Sequence, residues 1–221
     1  MVSALYALPL DDLHLLIVDD NSPDGTGALA ETLAAEHPGK IAVLHRPGKM
    51  GLGTAYVTGF KTALEQGADL IGQMDTDFSH PVEKVPELVK ALETCEVAIG
   101  SRYTPGGSVD ERWPVWRKGL SAFANAYARS ILRLPMKDVT AGFRMYRREA
   151  LQRIPLDRIR SNGYSFQVET AFLTHRLKLT CCEVPIYFAD RRLGTSKMSL
   201  RVQLESAYRV WQLLWAYRDL H

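Results

Sequence analysis

Two acidic residues separated by one position, Asp75 and Asp77, follow a short segment at residues 69–74. That segment predicts a largely buried strand, so both carboxylates should lie at the end of a sheet. Two neighbouring carboxylates are costly to bury without a partner, and a hard divalent cation bound to a phosphate would satisfy them. The simpler alternative is an acidic turn that caps a helix beginning near Val82. The elements predicted around the two acids are needed to distinguish the cation site from the cap.

Strand-length apolar segments alternate with helical ones in the first half of the chain. We expect strands at 13–18, 41–44, 69–74 and 96–100, and helices at 27–36, from Leu52 and at 82–93. This alternation is typical of a parallel, doubly wound α/β sheet, in which ligands bind beyond the carboxyl ends of the strands. The polar residues that follow predicted strands should therefore share one site: Asp20, Asp75, Asp77, Ser101 and Arg102.

The second half of the chain predicts more helix and an aromatic surface. We expect helices from Trp113, at 164–177 and near the carboxyl terminus, and an edge strand at 179–189 that contains Pro185. One face of the first of these helices carries mostly large apolar side chains: Trp116, Leu120, Phe123, Tyr127 and Ile131. Core packing and docking at a membrane surface both remain open for this face.

Composition narrows the class of protein. The chain has 221 residues, 46% of them hydrophobic, which predicts a single domain over 1–221. A net charge of +2 without a long basic run argues against nucleic-acid binding. The three cysteines, Cys95, Cys181 and Cys182, suggest neither a disulfide framework nor a metal site and favour a reducing cytosol. The apolar runs are too short to span a bilayer, so any membrane contact should be peripheral.

Six segments in linked order carry a family resemblance: IVDDNSPDGT, RPGKMGLGTA, MDTDFSHP, GSRY, DVTAGFR and RRLGTSK. Together they resemble the family-2 inverting glycosyltransferases of the GT-A fold, specifically the polyprenol-phosphate (dolichol-phosphate) mannose synthases. The resemblance implies a Rossmann-like three-layer sandwich with a mainly parallel sheet. The family's usual first strand is missing, because residues 2–8 predict the helix that should follow it. Lys49 and Ser79 stand where asparagine and, in some members, glutamine are more usual.

The resemblance implies roles for the donor side of the site. Asp77, assisted by Asp75, would hold Mg²⁺ or Mn²⁺ on the diphosphate of a nucleotide sugar, with Thr76 beside them. Asp20 would meet the base or ribose, although a helix N-cap is an alternative role for it. The basic residues of the segment RRLGTSK, Arg191 and Lys197, would close over the diphosphate. As an alternative, either could be a solvated surface charge.

The acceptor side follows from the same resemblance, which implies transfer of mannose from GDP-mannose to polyprenyl (dolichyl) phosphate with inversion. Arg102, Arg117 and Ser121 would hold the acceptor phosphate, and the spacing of the last two puts them on one helix face. A phosphate monoester is mostly dianionic at neutral pH, so no strong general base is required. Four further residues should shape the sugar pocket or support the loop that carries Arg191 and Lys197: Asp138, Arg144, Gln167 and Glu169. For Asp138 and Arg144, a structural ion pair is an equally open role. His80 is interpreted as a turn residue rather than a ligand.

A lipid acceptor would give the exposed aromatic side chains a purpose. We expect peripheral contact with the cytoplasmic face of a membrane, with nearby arginines assisting. The residues predicted to make this contact are Trp113, Trp116, Phe123, Trp211 and Trp215.

Three other functions compete with this interpretation. The nearest is a UDP-glucose-dependent polyprenyl-phosphate glucosyltransferase, since the motifs separate the donors poorly. A haloacid-dehalogenase-like phosphatase also places two such aspartates after a strand, but it usually does so near the start of its chain. The third is an inactive, N-terminally truncated relic that binds nucleotide without transferring sugar.

Overall fold

Strands and helices alternate along the computed structural model, which describes residues 1–190 and 200–220. The helices are α1 (Val2–Tyr6), α2 (Thr26–Glu36), α3 (Leu52–Glu65), α4 (Val85–Ala91), α5 (Val115–Leu132), α6 (Arg148–Arg153), α7 (Tyr164–Arg176) and α8 (Leu200–Ala216). The strands are β1 (Leu15–Asp19), β2 (Ile41–His45), β3 (Leu70–Gln73), β4 (Val97–Ser101), β5 (Ser108–Val109), β6 (Arg144–Arg147), β7 (Cys181–Pro185) and β8 (Tyr187–Phe188). Short 3₁₀ turns cover Val82–Lys84 and Leu156–Arg158. The predicted α/β class is therefore confirmed.

The strands form one four-stranded sheet and two parallel pairs. The order in the main sheet is β3-β6-β4-β7, while β1 pairs with β2 and β5 pairs with β8. β7 runs parallel to β4, whereas β6 runs antiparallel to both of its neighbours. The predicted strand at 179–189 is divided into β7 and β8, and its first part lies at the edge of the main sheet.

The reversed direction of β6 follows from the segment that precedes it. After α5, residues 133–143 carry the chain back to the carboxyl end of β4, where Asp138 accepts hydrogen bonds from Arg102. β6 must then start at that end and run the opposite way. In the sheet, Arg144 is the partner of both Gln73 on β3 and Ile99 on β4. The carboxyl ends of these two strands are thereby brought to one level.

The main sheet lies between two apolar layers, as a three-layer sandwich requires. β4 is buried along its whole length, and alternate residues point to opposite faces. Val97 and Ile99 join the larger core with residues of α3, α5, α7 and α8, while Ala98 joins the smaller core with residues of α1 and α4. α7 is buried from Ser165 to Thr174, which explains why its sequence shows no polar face.

The first parallel pair is joined to the main sheet by helix packing. α3 packs against both β1 and β3, yet these two strands are not hydrogen-bonded to each other. Within the described residues no strand precedes β1, and Val2–Tyr6 forms a helix as the sequence predicts. Leu5 of that helix packs into the smaller core.

Two of the three cysteines are paired, although their number and spacing suggest no disulfide framework. Cys95, just before β4, forms a disulfide with Cys182 on β7. The two positions lie 87 residues apart in sequence, but β4 and β7 are neighbours, and the Cα–Cα distance of 6.0 Å is typical of a disulfide. Cys181 points away from this pair, and burial raises the pKa of its thiol to about 12.

Candidate active site

Asp75 follows β3 and is held by two groups. Its carboxylate oxygen Oδ1 accepts a hydrogen bond from the Tyr56 hydroxyl at 2.9 Å, and its backbone N–H donates to His80 Nδ1 at 3.0 Å. Burial, followed by the nearby Asp75 charge, raises the pKa of Tyr56 well above its usual value. The Tyr56 phenol therefore stays protonated at neutral pH and acts as the donor in this bond.

Asp77 closes a tight turn at the same end of the sheet. Its Oδ1 accepts hydrogen bonds from the Ser79 backbone N–H at 3.0 Å and from the Ser79 hydroxyl at 2.6 Å. Thr76, between the two acids, is exposed, and Phe78 has a positive φ of 61°. The 3₁₀ turn at Val82–Lys84 has no side-chain cap, so a capping role for the two acids is not observed.

The donor set at this turn suits a cation that shares its ligands with a substrate. Within residues 1–190 and 200–220, no three side chains of His, Cys, Asp or Glu gather to form a complete metal site. Mg²⁺ is usually held by only one or two carboxylates, with substrate phosphates and water supplying the remaining ligands. Asp75 and Asp77 fit that pattern of one or two carboxylates.

Arg102 lies just after β4 in a buried ion pair. Its Nε donates to Asp138 Oδ2 at 2.7 Å, and its Nη2 donates to Asp138 Oδ1 at 2.8 Å and to the Thr140 hydroxyl at 2.6 Å. Burial alone would raise the pKa of Asp138, but the Arg102 charge and the hydrogen bonds from Arg102 and Thr140 together outweigh burial, and the pKa is lowered. The same pairing raises the pKa of Arg102 against the opposing effect of its burial. Of the two roles left open for Asp138, the structure shows the ion pair.

The other two predicted acceptor residues lie on α5, one turn apart. The guanidinium of Arg117 stacks over the Trp113 ring at 3.7 Å, and its Nη1 donates to Asp190 Oδ1 at 3.0 Å. Ser121 and Tyr103 share a hydrogen bond of 2.8 Å between their hydroxyl oxygens. Tyr103 directly follows Arg102 and also lies against its guanidinium. The structure therefore gathers these predicted residues around Tyr103 and Trp113.

Phe188 of β8 connects the carboxylate turn to the arginine cluster. Its ring centroid lies 5.5 Å from the His80 ring, 5.8 Å from the Trp113 ring and 5.3 Å from Arg102 Cζ. One residue further along, the Ala189 backbone N–H donates to the Ser79 carbonyl oxygen at 3.2 Å. Phe188 therefore lies between His80, which holds the carboxylate turn, and Arg102 and Trp113 of the arginine cluster.

Asp20 forms a separate contact at the end of β1. Its Oδ1 is 3.0 Å from Nε of the buried Arg46, an ion pair without hydrogen-bond geometry. Arg46 also donates from Nη2 to the Thr54 hydroxyl near the start of α3. The residue before α2 is Gly25, and no side chain caps that helix. The alternative role of Asp20 as a helix cap is therefore not observed.

The remaining predicted residues form buried hydrogen bonds near the site. Gln73 Nε2 donates to the Gly142 carbonyl and to Gln167 Oε1, each at 2.9 Å, directly beneath the carboxylate turn. Arg144 donates to Thr170 and to two backbone carbonyls. Glu169 accepts the Ser161 N–H at 2.8 Å and the Tyr217 hydroxyl at 2.6 Å. These side chains are buried and tie α7 to its neighbours.

Arg191 and Lys197 lie outside the described residues. Their predicted closure over a diphosphate stays a prediction.

Sequence reasoning missed three site residues. Tyr56 falls within the helix predicted from Leu52, Tyr103 within the segment GSRY, and Phe188 within the strand predicted at 179–189, and the sequence assigns none of the three a role in the site. The signal for Tyr56 is its hydroxyl, because a tyrosine on a core stripe needs a polar partner. Tyr103 and Phe188 gain their roles from long-range packing, which the spacing of residues does not show.

Exposed aromatic side chains form a surface on α5 and α8. Trp116 is 69% exposed and Trp215 is 72% exposed, and Phe123 and Trp211 are also exposed. Trp113 is buried against Phe188, so its predicted place at a membrane surface is wrong. None of the helices within residues 1–190 and 200–220 has the length and apolar character that a bilayer crossing requires.

Comparison with solved structures defines the class of protein. Glucosyl-3-phosphoglycerate synthase from Mycobacterium tuberculosis, in complex with Mn²⁺, UDP and glucosyl-3-phosphoglycerate, matches with a TM-score of 0.62 at 17% identity, over 100% of this chain and 74% of the other. A mannosyltransferase from Pyrobaculum calidifontis, in complex with GDP-Man and Mn²⁺, matches with a TM-score of 0.53 at 15% identity, over 99% of this chain and 67% of the other. The fold is therefore that of the GT-A glycosyltransferases.

Sequence comparison then gives the family. The family described as Glycosyl transferase family 2 matches residues 1–155. An undecaprenyl-phosphate mannosyltransferase of Micrococcus luteus is 49% identical over 87% of this chain and 78% of its own length. A polyprenol monophosphomannose synthase of Mycolicibacterium smegmatis is 46% identical over 85% of this chain and 71% of its own length. The chain belongs to glycosyltransferase family 2, is a glycosyltransferase, and resembles the polyprenol-phosphate mannose synthases.

Proposed function

We propose that this chain transfers mannose from GDP-mannose to the phosphate of a polyprenol, with inversion at the anomeric carbon. The observation that carries the proposal is the identity of 46–49% to two relatives named as enzymes of this kind. The site supports it, because an acidic turn suited to a diphosphate and a cluster of arginine, serine and tyrosine side chains suited to a phosphate lie on either side of Phe188.

The proposed reaction is a single in-line displacement. An oxygen of the acceptor phosphate forms a bond to the anomeric carbon while the bond from that carbon to the GDP oxygen breaks, and GDP leaves with the electron pair. The acceptor phosphate is already mostly dianionic at neutral pH, so it attacks without a strong general base. Attack from the face opposite the leaving group gives a β-linked product.

On the donor side, Asp75 and Asp77 would hold Mg²⁺ or Mn²⁺ on the diphosphate. When bound, such an ion supplies positive charge that stabilises the leaving group. The chain's own contribution is to fix the two carboxylates: Tyr56 and His80 hold Asp75, and Ser79 holds Asp77. Thr76 and Asp20 would contact the nucleotide, and Arg191 and Lys197 would close over it.

On the acceptor side, the proposal assigns the phosphate to Arg117, Ser121 and the neighbouring charge of Arg102. Arg117 donates to the Asp190 carboxylate, and a phosphate oxygen that bound Arg117 from the same side would have to replace it. Acceptor binding would therefore exchange one anion for another at Arg117. Arg102 would keep its partner Asp138, which fixes its guanidinium beside Tyr103.

The exposed aromatic surface fits a lipid acceptor. Tryptophan and tyrosine are favoured at the boundary between water and hydrocarbon, because an apolar ring and a polar tip are both satisfied there. α5 contains Arg117, Lys118 and Arg129 but no acidic residue, which suits an anionic lipid surface. We infer peripheral attachment to the cytoplasmic face of a membrane through α5 and α8.

The test is transfer of radiolabelled sugar from GDP-mannose or from UDP-glucose to a polyprenyl phosphate in the presence of Mn²⁺. We expect transfer from GDP-mannose and a β linkage in the product, read by NMR. Asp77→Asn should lower kcat by at least about 100-fold if the carboxylate serves the metal, whereas Asp157→Asn, which removes an exposed partner of Lys61, should leave it unchanged. Transfer only from UDP-glucose would replace the proposed donor, and nucleotide binding without any transfer would refute the enzymatic proposal.

A further inference from the structure

Asp75 is anchored from two separate elements of the fold. Tyr56 of α3 reaches its carboxylate, and the His80 ring accepts its backbone N–H. The first bond restricts rotation of the carboxylate, and the second fixes the chain that carries it. Ser79 holds Asp77 through its backbone N–H and its hydroxyl, within the turn that follows Asp75.

The Tyr56 hydroxyl is held in place by its own neighbours. Its ring stacks on Phe166 at 5.5 Å and 11° and on Phe60 at 6.1 Å and 27°. Both phenylalanines are almost completely buried, so the tyrosine ring has well-packed walls. A carboxylate has about four lone-pair positions, so the bond to Tyr56 leaves Asp75 able to accept further ligands.

His80 is equally constrained. It is 2% exposed, its ring stacks on Phe143 at 5.2 Å and 11°, and it lies edge-on to Phe188. The ring also lies against Gly142, where an added Cβ would be 3.4 Å from His80 Cε1. Because Nδ1 accepts the Asp75 N–H, the neutral ring carries its proton on Nε2.

We propose that Tyr56 and His80 are positioning residues, which hold Asp75 in the orientation that receives a divalent cation together with a nucleoside diphosphate. The inference rests on the proposed function, since it assumes that Asp75 meets such a cation. Groups that orient a metal ligand without touching the metal typically change metal affinity or activity by about 10–100-fold when they are removed. The Tyr56 phenol and the His80 imidazole are such groups for Asp75.

The first experiment compares Tyr56→Phe with the unmodified chain. Binding of Mn²⁺ in the presence of GDP is followed by the loss of the free Mn²⁺ signal in electron paramagnetic resonance. We expect Tyr56→Phe to raise the dissociation constant of Mn²⁺ about 10-fold, and to raise the Mn²⁺ concentration needed for half-maximal activity more than it lowers kcat. The matched control is Tyr6→Phe, which removes the same hydroxyl from a hydrogen bond to the Lys40 carbonyl and should leave Mn²⁺ binding unchanged.

The second experiment separates the hydrogen bond of His80 from its packing. Asparagine can place an acceptor oxygen near the position of Nδ1, whereas leucine cannot. We expect His80→Asn to keep most of the Mn²⁺ affinity and His80→Leu to lose it, even where both variants melt at a lower temperature than the unmodified chain. Equal loss in both variants would show that His80 only fills space.

The outcomes for the inference and for the proposed function are distinct. If the unmodified chain does not bind Mn²⁺ with GDP, the proposed use of a metal at this turn is wrong. If the unmodified chain binds and Tyr56→Phe binds within about twofold of it, the positioning role of Tyr56 is wrong while the proposed function stands.

Discussion

At the scale of single residues, the site depends on charges that are buried in pairs. Arg102 is 7% exposed and Asp138 is 0% exposed. The Asp138 carboxylate accepts three hydrogen bonds from Arg102, one from its backbone N–H and two from its guanidinium. A buried ion pair of this kind is costly to break, because removing one partner leaves the other charge without compensation. The pair also fixes Arg102 where the acceptor phosphate is proposed to bind.

We expect Asp138→Asn to lower the free energy of unfolding at pH 7 by about 3 kcal/mol, because Arg102 keeps its charge in a buried place. Asp157→Asn is the matched control, since its carboxylate pairs with Lys61 at an exposed site and should contribute little. Both are measured by urea unfolding. A loss no greater than that of the control would mean that water reaches the Arg102 guanidinium in the folded chain.

The pH dependence of this loss has a definite sign. Because the folded pKa of Asp138 is lowered from the ordinary value of 3.8, its stabilising contribution is complete above that value and disappears as the pH falls through the folded pKa. The difference between the original chain and Asp138→Asn should therefore be constant near neutral pH and shrink below pH 3.8.

At the scale of elements, close packing at the start of α3 fixes the segment that leads into α7. A Cβ added at Gly53 would lie 2.2 Å from the Ser161 carbonyl oxygen, whereas nothing lies within 4 Å of the Cβ position at Gly119 on α5. The Ser161 N–H is in turn held by Glu169 of α7. The start of α3 and the start of α7 are therefore in direct contact, and Tyr56 lies one turn further along α3.

We expect Gly53→Ala and Gly119→Ala to change stability in opposite directions. Alanine is favoured over glycine inside a helix by roughly 0.5–1 kcal/mol, so Gly119→Ala should raise the free energy of unfolding by about that amount. Gly53→Ala should lower it, because the new methyl group displaces backbone that cannot move freely. Thermal unfolding of the two variants checks this, and a stabilising effect of Gly53→Ala would contradict the observed packing.

The elements also show which features a sequence can reveal. The spacing of apolar residues and the positions of turn-forming residues predict β1 to β4 and the helices between them. They also predict that Asp75 and Asp77 follow a strand, because these features depend on local residues. The reversed direction of β6 was not predicted, since it follows from the course of residues 133–143 back to the end of β4, which the local pattern of residues does not show. The disulfide between Cys95 and Cys182 was missed for the same reason, because only the pairing of β4 with β7 brings the two together.

At the scale of the whole molecule, packing of α5 against α8 brings their exposed aromatic side chains onto one surface. Tyr127 of α5 donates to the Ala207 carbonyl of α8 and accepts a hydrogen bond from Trp211 Nε1 at 3.0 Å. Phe123 lies beside Tyr127, so the exposed rings of the two helices are continuous. The side chains exposed along α5 are uncharged: Val115, Trp116, Gly119, Ala122, Phe123, Ala124, Ala126 and Ser130.

We expect the chain to co-sediment with vesicles that contain phosphatidylglycerol, and more weakly with vesicles of phosphatidylcholine alone. Added salt should reduce the binding, because it screens the attraction of Lys118 and Arg129 to the anionic surface. Replacing Trp116 and Trp215 by serine should abolish most of this binding without lowering the melting temperature, because both rings are exposed. Leu29→Ser is the control, since Leu29 is 61% exposed on α2, outside the α5 and α8 surface. If the tryptophan variant sediments as the original chain does, α5 and α8 are not the membrane surface, and the lipid acceptor must reach Arg117 and Ser121 from water or by another face.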